Sequence, residues 1–264
     1  MTCTRWLVFN GSPNLTTALV RTTIRAVEGE CMTDSVSKLY AGKDPRALPN
    51  HSISEAAGYL RMPPSTLRAW LLGMGTFKPI LLVARRTPPA LSFFNLVEAH
   101  VLNSIREYHR LPDIRKALRY VENELRVERP LAHKVFETDG VSLFVEHLGK
   151  LLNVSQEGQV AMSEALGAHL CRLDFDAAGL AERLYPFTRA GAHGGLKLDG
   201  PRAVVFDPRV QFGRLVVAGT GIPTAVLADR FDAGDLSDDL AADYGLDRRV
   251  IEEAVRCERL RRAA

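Results

Sequence analysis

The sequence has little that would mark an extracellular or membrane protein. Its four cysteines, Cys3, Cys31, Cys171 and Cys257, are far apart and form no CxxC pair. They outline neither a disulfide framework nor a zinc site. Reduced thiols are the expectation, and with them a cytoplasmic address. No apolar run approaches the ~18 residues needed to cross a bilayer, so no membrane partner is expected. The first 23 residues are interrupted by Asn10, Ser12, Asn14, Thr16 and Thr17, which makes a poor export signal. Aromatic residues are scarce, at 7%. The seven histidines are scattered, with no HExxH motif and no phosphate loop ending in Gly-Lys-Ser/Thr. The Gly-rich stretch Ala218–Pro223 lacks the spacing of a dinucleotide loop. Asp174 and Asp176 read as loop and capping residues rather than as a catalytic pair. These absences point away from an enzyme, and no cofactor or metal is expected.

What remains is an ordinary globular composition, 46% hydrophobic and 25% charged, in 264 residues. That is enough for one large domain or two to three small ones. The net charge of +3 gives no direction by itself, but it is unevenly placed. Residues 1–50 carry +2, residues 51–130 carry +5, residues 131–200 carry −3 and residues 201–264 carry −1. The second segment is the one suited to a polyanion.

Residues 1–50 show no sustained period and read as a weakly ordered extension, with a short helix near Leu15–Val27. In residues 53–72, Ile53, Ala56, Ala57 and Leu60 recur at helical spacing, and Ser52 or Ser54 can cap the start. Met62-Pro63 breaks this helix. Pro64 suits the first position of a second one, since its missing N–H has no partner there anyway. In that second helix Leu67, Trp70 and Leu71 face inward, and Ser65, Thr66, Arg68 and Ala69 face away. Two short helices joined by a tight turn predict a helix-turn-helix. Phe77–Ala84 and Leu91–Phe94 then read as two strands around a turn at Arg85-Arg86-Thr87-Pro88-Pro89. That is a wing with two positive charges at its tip. Helices follow at 95–109 and from Pro112 to about Val127.

In residues 131–200, Thr138-Asp139-Gly140 between His133–Phe136 and Val141–Val145 predicts a hairpin, because Asp-Gly suits the primed turns. Residues 190–195, rich in Gly and Ala, read as a linker. In the last segment, strands are expected at Ala203–Phe206 and Leu215–Val217. Helices are expected at Pro223–Phe231, from a cap at Ser237 to Gly245, and from Arg248 to Arg262. The last two resemble a second helix-turn-helix. Asp232, Asp235, Asp238, Asp239 and Asp243 cluster there and would repel phosphates, so this unit suits a protein partner. The expected fold is mainly α, a winged helix-turn-helix with small β-hairpins plus a C-terminal three-helix unit. Its segments are 1–50, 51–130, 131–200 and 201–264.

Residues 53–72, with Thr66-Leu67-Arg68 and Trp70, resemble the MerR-type winged helix. Arg61 stands where that family has a turn glycine, and Pro63 where it has a capping serine. Residues 201–257, with Asp207-Pro208, Gly213, Gly219-Thr220, Ile222 and Gly234, look like the small antitoxin domain DUF433. Gly221 stands where many relatives have arginine. A MerR-like head joined to such a tail is similar to the larger antitoxins of the VapB45 kind. That resemblance implies an antitoxin of a type II toxin–antitoxin system that neutralises a PIN-like ribonuclease toxin by direct binding. It also implies repression of its own operon through the winged head.

DNA contact is then expected from Ser65, Thr66 and Arg68 in the major groove, and from Arg85 and Arg86 on phosphates. Reading two half-sites implies a homodimer on operator DNA. An arginine fork inserted among the toxin's metal-binding carboxylates is the expected means of neutralisation. The candidates are Arg209, Arg214, Arg248, Arg249, Arg256 and Arg259. A MerR-like regulator without a toxin partner is the alternative, and a metabolic enzyme with an unrecognised site is a third reading.

Overall fold

The structure, a computed structural model, describes residues 40–76, 78–105, 111–189 and 200–263. The helix expected near Leu15–Val27, residues 106–109 of the expected helix 95–109, and the 190–195 linker lie outside the described residues. The chain divides into two compact units, Met1–Asp44 and Pro45–Ala264. The described end of the first is a turn in which Lys43 N donates to the Tyr40 carbonyl at 3.0 Å. The second is mainly α, with two small antiparallel sheets.

Its head begins with β1 (His51–Ser52), α1 (Ile53–Leu60) and α2 (Pro64–Leu72). Ser52 caps α1, its hydroxyl accepting from Glu55 N at 3.1 Å. Arg61 ends the helix in the left-handed region (φ 53, ψ 49), where glycine is the usual residue. Leu67, Trp70 and Leu71 are at most 1% exposed. Burying each is worth ~1.5–3 kcal/mol or more, which is what fixes the facing of α2. Trp70's carbonyl then accepts from Ile80 N and Leu81 N at 2.8 and 3.1 Å, tying the next segment back to the helix end.

The wing is shorter than its apolar sequence implies. Its strands are β2 (Arg85–Arg86) and β3 (Pro89–Leu91), and the described residues 78–84 form no strand. Arg85 and Arg86 therefore sit in a strand rather than at the turn. The reason is Asn95. Its amide donates to Leu82 O at 2.7 Å and its carbonyl accepts from Ala84 N at 2.9 Å. These bonds satisfy backbone groups that a strand partner would otherwise take. Ser92 and Asn95 also form a capping box that starts α3 (Phe93–Asn103), so Phe93 and Phe94 are helical. β3 pairs with both β1 and β2, with His51 opposite Leu91 and Arg85 opposite Ala90.

α4 (Leu111–Leu125) follows as expected. The hairpin expected around Thr138-Asp139-Gly140 is not formed. Phe136–Gly140 is a π-helical turn leading into α5 (Val141–Leu152). Gly140 has helical angles, φ −69 and ψ −32, and a Cβ there would sit 2.6 Å from the Phe136 ring. The glycine serves close packing and not a turn. Val141, Phe144, Val145 and Leu148 are buried at i, i+3, i+4 and i+7, the helical period.

After α6 (Gln156–Leu170) come β4 (Leu173–Phe175), β5 (Ala181–Leu184), β6 (Val204–Phe206) and β7 (Leu215–Val217), in a sheet of that order. The sheet thus joins the middle segment to the tail across residue 200. Buried Arg172 braces this join. Its guanidinium donates to the carbonyls of Tyr185, Pro186, Gly200 and Pro201 at 2.8–3.1 Å. The tail ends in α7 (Thr224–Asp232), α8 (Ser237–Tyr244) and α9 (Arg248–Ala263). Ser237 makes no side-chain capping bond, and Leu236 is the residue that precedes α8.

Head and tail share one core. α1 packs on α9, and Gly58 is where they meet: a Cβ there would lie 2.7 Å from the Arg261 carbonyl oxygen. Beside it, Tyr59 OH donates to the Glu258 carboxylate at 2.9 Å. Its ring stands edge-on to Phe206 at 5.0 Å.

Candidate functional site

Two surfaces carry the residues read as functional in the sequence. The first is the outer face of α2 with the β2–β3 hairpin. Ser65 and Arg68 are exposed and Thr66 is half-buried; Arg85 and Arg86 are exposed. Arg85 Nε donates to Pro88 O at 3.0 Å, which folds its side chain along the hairpin. Arg68 and Arg86 have no carboxylate partner among the described residues. Guanidinium groups without an acid partner cost little in water and are free to take an anionic one.

The second surface is an open groove of about 630 Å³ in the tail. Its apolar lining is Phe231, Leu236, Val255 and Leu260, and Arg248, Arg256 and Arg259 line it together with Ser237, Asp238 and Glu252. Leu236 is 65% exposed, high for a leucine bounding a groove. Three of the six arginines proposed for partner contact therefore gather here. The other three do not line the groove. Arg209 forms a fork on Asp207, with Nε at 3.1 Å and Nη2 at 3.2 Å, and also reaches Glu182. Arg214 and Arg249 are exposed, with no ion-pair partner among the described residues.

The groove arginines have partners within the chain. Arg248 reaches Asp238 and Glu252 at 3.1 and 2.8 Å. Arg259 reaches Asp232 at 2.7 Å and lies over the Phe231 ring. Arg256 pairs with buried Glu253. Arg230 holds Asp235 and Asp243, and Arg262 holds Asp229 and Asp232. Hydrogen bonding from Arg259 holds the Asp232 carboxyl below its ordinary range. Of the five carboxylates expected to repel phosphate, four are thus internally paired, and Asp239 has no ion-pair partner among the described residues. The acidity of this unit is largely neutralised by its own arginines. Leu236 carries no sequence period, because a lone leucine in a loop has none; Arg230 stands on α7, where position alone does not reveal partners five and thirteen residues ahead.

Among the described residues no group of His, Cys, Asp and Glu could hold a metal ion. No described helix is long and apolar enough to cross a membrane. Cys171 and Cys257 are free thiols, and burial pushes Cys257 up to about 12, far from the thiolate range.

Comparison with known proteins agrees with the tail reading. Residues 204–256 match the family described as "Protein of unknown function (DUF433)". The chain is similar to "Putative antitoxin VapB45" of Mycobacterium tuberculosis, 25% identical over 234 residues, covering 79% of this chain and 93% of that protein. It is also similar to "Uncharacterized protein Rv2308" of the same organism, 24% identical, covering 76% and 87%. A solved structure titled "X-ray crystal structure of Rv2018 from Mycobacterium tuberculosis" superposes with a TM-score of 0.63 at 24% identity, covering 79% of this chain and 98% of that one. This last likeness is one of fold. The chain thus resembles an antitoxin-like group over about four-fifths of its length.

Proposed function

We propose that this chain is the antitoxin of a type II toxin–antitoxin pair. It acts in the cytoplasm, binds and neutralises a PIN-like ribonuclease, and represses its own operon as a homodimer on operator DNA. The observation that carries this reading is the tail groove, where apolar side chains are flanked by Arg248 and Arg256, inside the DUF433 match, and by Arg259 just beyond it. An apolar anchor with an arginine rim is the usual anatomy of a protein-binding patch. The extent of the likeness to a protein named as an antitoxin supports the same reading. In the head, the second helix of a MerR-like winged unit enters the major groove. Ser65, Thr66 and Arg68 read base edges, and Arg85 and Arg86 bind phosphates.

The test is co-expression with the product of the neighbouring gene, expected to be a short nuclease. Leu236→Asp with Arg259→Glu is expected to abolish co-purification and protection of RNA while leaving operator binding intact. Retention of the nuclease at unchanged affinity sinks the toxin-binding assignment. In a gel shift, Arg68→Ala is expected to weaken operator binding selectively, and an unchanged shift removes the DNA assignment. One observation favours a second reading, a MerR-like regulator without a toxin: Arg209, Arg248, Arg256 and Arg259 already have carboxylate partners. Operator binding with no co-purifying nuclease is its signature.

A further inference from the structure

A second cavity, of about 720 Å³, opens between the segment that follows α2 and helix α4. That volume lies within the ~300–1,000 Å³ of small-molecule sites. Ile80, Leu81 and Leu82 form one apolar wall and Leu118 and Leu131 another. Four arginines, Arg115, Arg119, Arg126 and Arg129, line the space between them.

These cations are incompletely satisfied. Arg129 is committed: its Nη1 donates to Glu98 at 3.0 Å, and its guanidinium lies over Phe94. Glu98 is further satisfied by the Asn95 amide at 3.1 Å. Arg115 donates one nitrogen to the Lys78 carbonyl, but its Nε is enclosed and has no acceptor. Arg119 and Arg126 form no ion pair among the described residues. Glu122 and Glu128 also border the cavity; both are exposed, and Glu122 feels the Arg119 charge without forming an ion pair with it. Arg126 and Arg129 both have left-handed φ, 53° and 56°. Arg126 is the residue after α4, where this conformation commonly ends a helix. The chain turns through Val127-Glu128 between them, and both side chains line the one cavity.

We propose that this cavity binds a small organic anion, a phosphate or carboxylate on an apolar body. Arg115, Arg119 and Arg126 hold the charged group, and the 80–82 wall holds the body. The planar guanidinium fork matches both anions, and the enclosed Arg115 Nε points to a ligand that enters the cavity rather than to a duplex lying across it. The site is separate from the operator and partner surfaces, although its wall is the segment hydrogen-bonded to the end of α2.

The experiment is calorimetric titration of the full chain with phenyl phosphate, benzoate and inorganic phosphate at constant ionic strength. Saturable binding of phenyl phosphate or benzoate, one per chain, is expected with a Kd below about 1 mM and tighter than inorganic phosphate. Which of the two binds better identifies the charged group. Arg126→Gly removes the guanidinium and leaves a residue that accepts left-handed φ. It is expected to weaken binding about tenfold or more without lowering the melting temperature. Arg115→Gln is expected to weaken it similarly. No saturable binding of either organic anion overturns the proposal. So does an Arg126→Gly chain that binds phenyl phosphate normally but loses operator affinity, which would assign the arginine to DNA phosphate.

Discussion

Replacing Tyr59 by Phe tests the join between head and tail. Glu258 is 0% exposed. Its carboxylate accepts from Tyr59 OH at 2.9 Å, Thr224 Oγ1 at 2.5 Å and Arg261 Nε at 2.8 Å. Burial and the Glu258 charge hold the Tyr59 hydroxyl well above its ordinary range, so it remains a proton donor at any working pH. The phenylalanine keeps the ring against Phe206 and under the Arg261 guanidinium, so only the hydroxyl is lost. A hydrogen bond to a charged group is worth ~1.5–3 kcal/mol net. In a folded unit of this size each kcal/mol moves the melting temperature by ~2–4 °C, so the expected drop is about 3–12 °C. Thermal unfolding followed by circular dichroism measures it. A double-mutant cycle with Glu258→Leu, which removes the acceptor, isolates the pair, and a coupling of about 1 kcal/mol or more is expected. A variant melting within about 1 °C of the parent, or strictly additive effects, refutes the claim that this bond holds α1 on α9.

Three further outcomes follow from the same packing. Gly58→Ala sets a methyl 2.7 Å from the Arg261 carbonyl oxygen, so α1 and α9 must separate; a loss of about 1–3 kcal/mol in urea unfolding is expected, and an unchanged midpoint contradicts the close approach. Arg61→Gly relieves a left-handed backbone and removes an enclosed Nη2 that has no partner; it is expected to be neutral or stabilising by about 1 kcal/mol, and a clear loss of stability contradicts that. His51 and His169 are buried, and burial lowers both imidazoles to about 4. Unfolded histidines titrate near ~6.5, so the unfolded state binds more protons between these values and stability falls as the pH drops through that window. Each costs about 2 kcal/mol at pH 5, a slope that His51→Gln should reduce and that a pH-independent midpoint would refute.

The parts of this fold legible in the sequence are those specified by near neighbours. Ile53, Ala56, Ala57 and Leu60 repeat at the helical period and are capped by Ser52 next to them, so α1 needs nothing distant to be recognised. Leu215–Val217 is bounded by its own turn residues and was equally visible. Residues 78–84 look like a strand in sequence but form none, because their backbone bonds are taken by Trp70, which precedes them, and by Asn95, which follows. A single asparagine carries no such message in a linear reading. The error at residues 136–152 has a different origin. Val141, Phe144, Val145 and Leu148 carry a helical period, but Asp-Gly is also a turn signal, and only the packing against Phe136 shows that this glycine serves close approach. The β4–β5 hairpin carried a turn signal in Asp176 and Gly179. Asp176 Oδ1 accepts from Ala178 N and Leu180 N at 2.9 Å, the local turn bonding an aspartate offers.

The two surfaces differ in how far sequence could reach them. Arg68 and its neighbours follow from the facing of one short helix. Which tail arginines are available to a partner depends on carboxylates brought together by three helices. Pairing does not by itself remove an arginine from consideration. Exposed ion pairs are worth ~0–1 kcal/mol, so exchanging one carboxylate for another costs little. Arg248 and Arg259 pair with exposed or half-exposed partners, Asp238, Glu252 and Asp232. Arg256 and Arg209 do not have that freedom. Glu253 and Asp207 are 2% and 5% exposed, and a buried carboxylate that loses its cation costs several kcal/mol, ~3–5. Moving Arg256 would leave Glu253 to Arg189 and Thr188; moving Arg209 would leave Asp207 to Arg183. Charge reversal therefore separates the two classes. Arg259→Glu should leave the melting temperature nearly unchanged and act on partner binding. Arg209→Glu should lower it by several degrees, and equal stability of the two variants would show that the ranking by buried carboxylate is wrong.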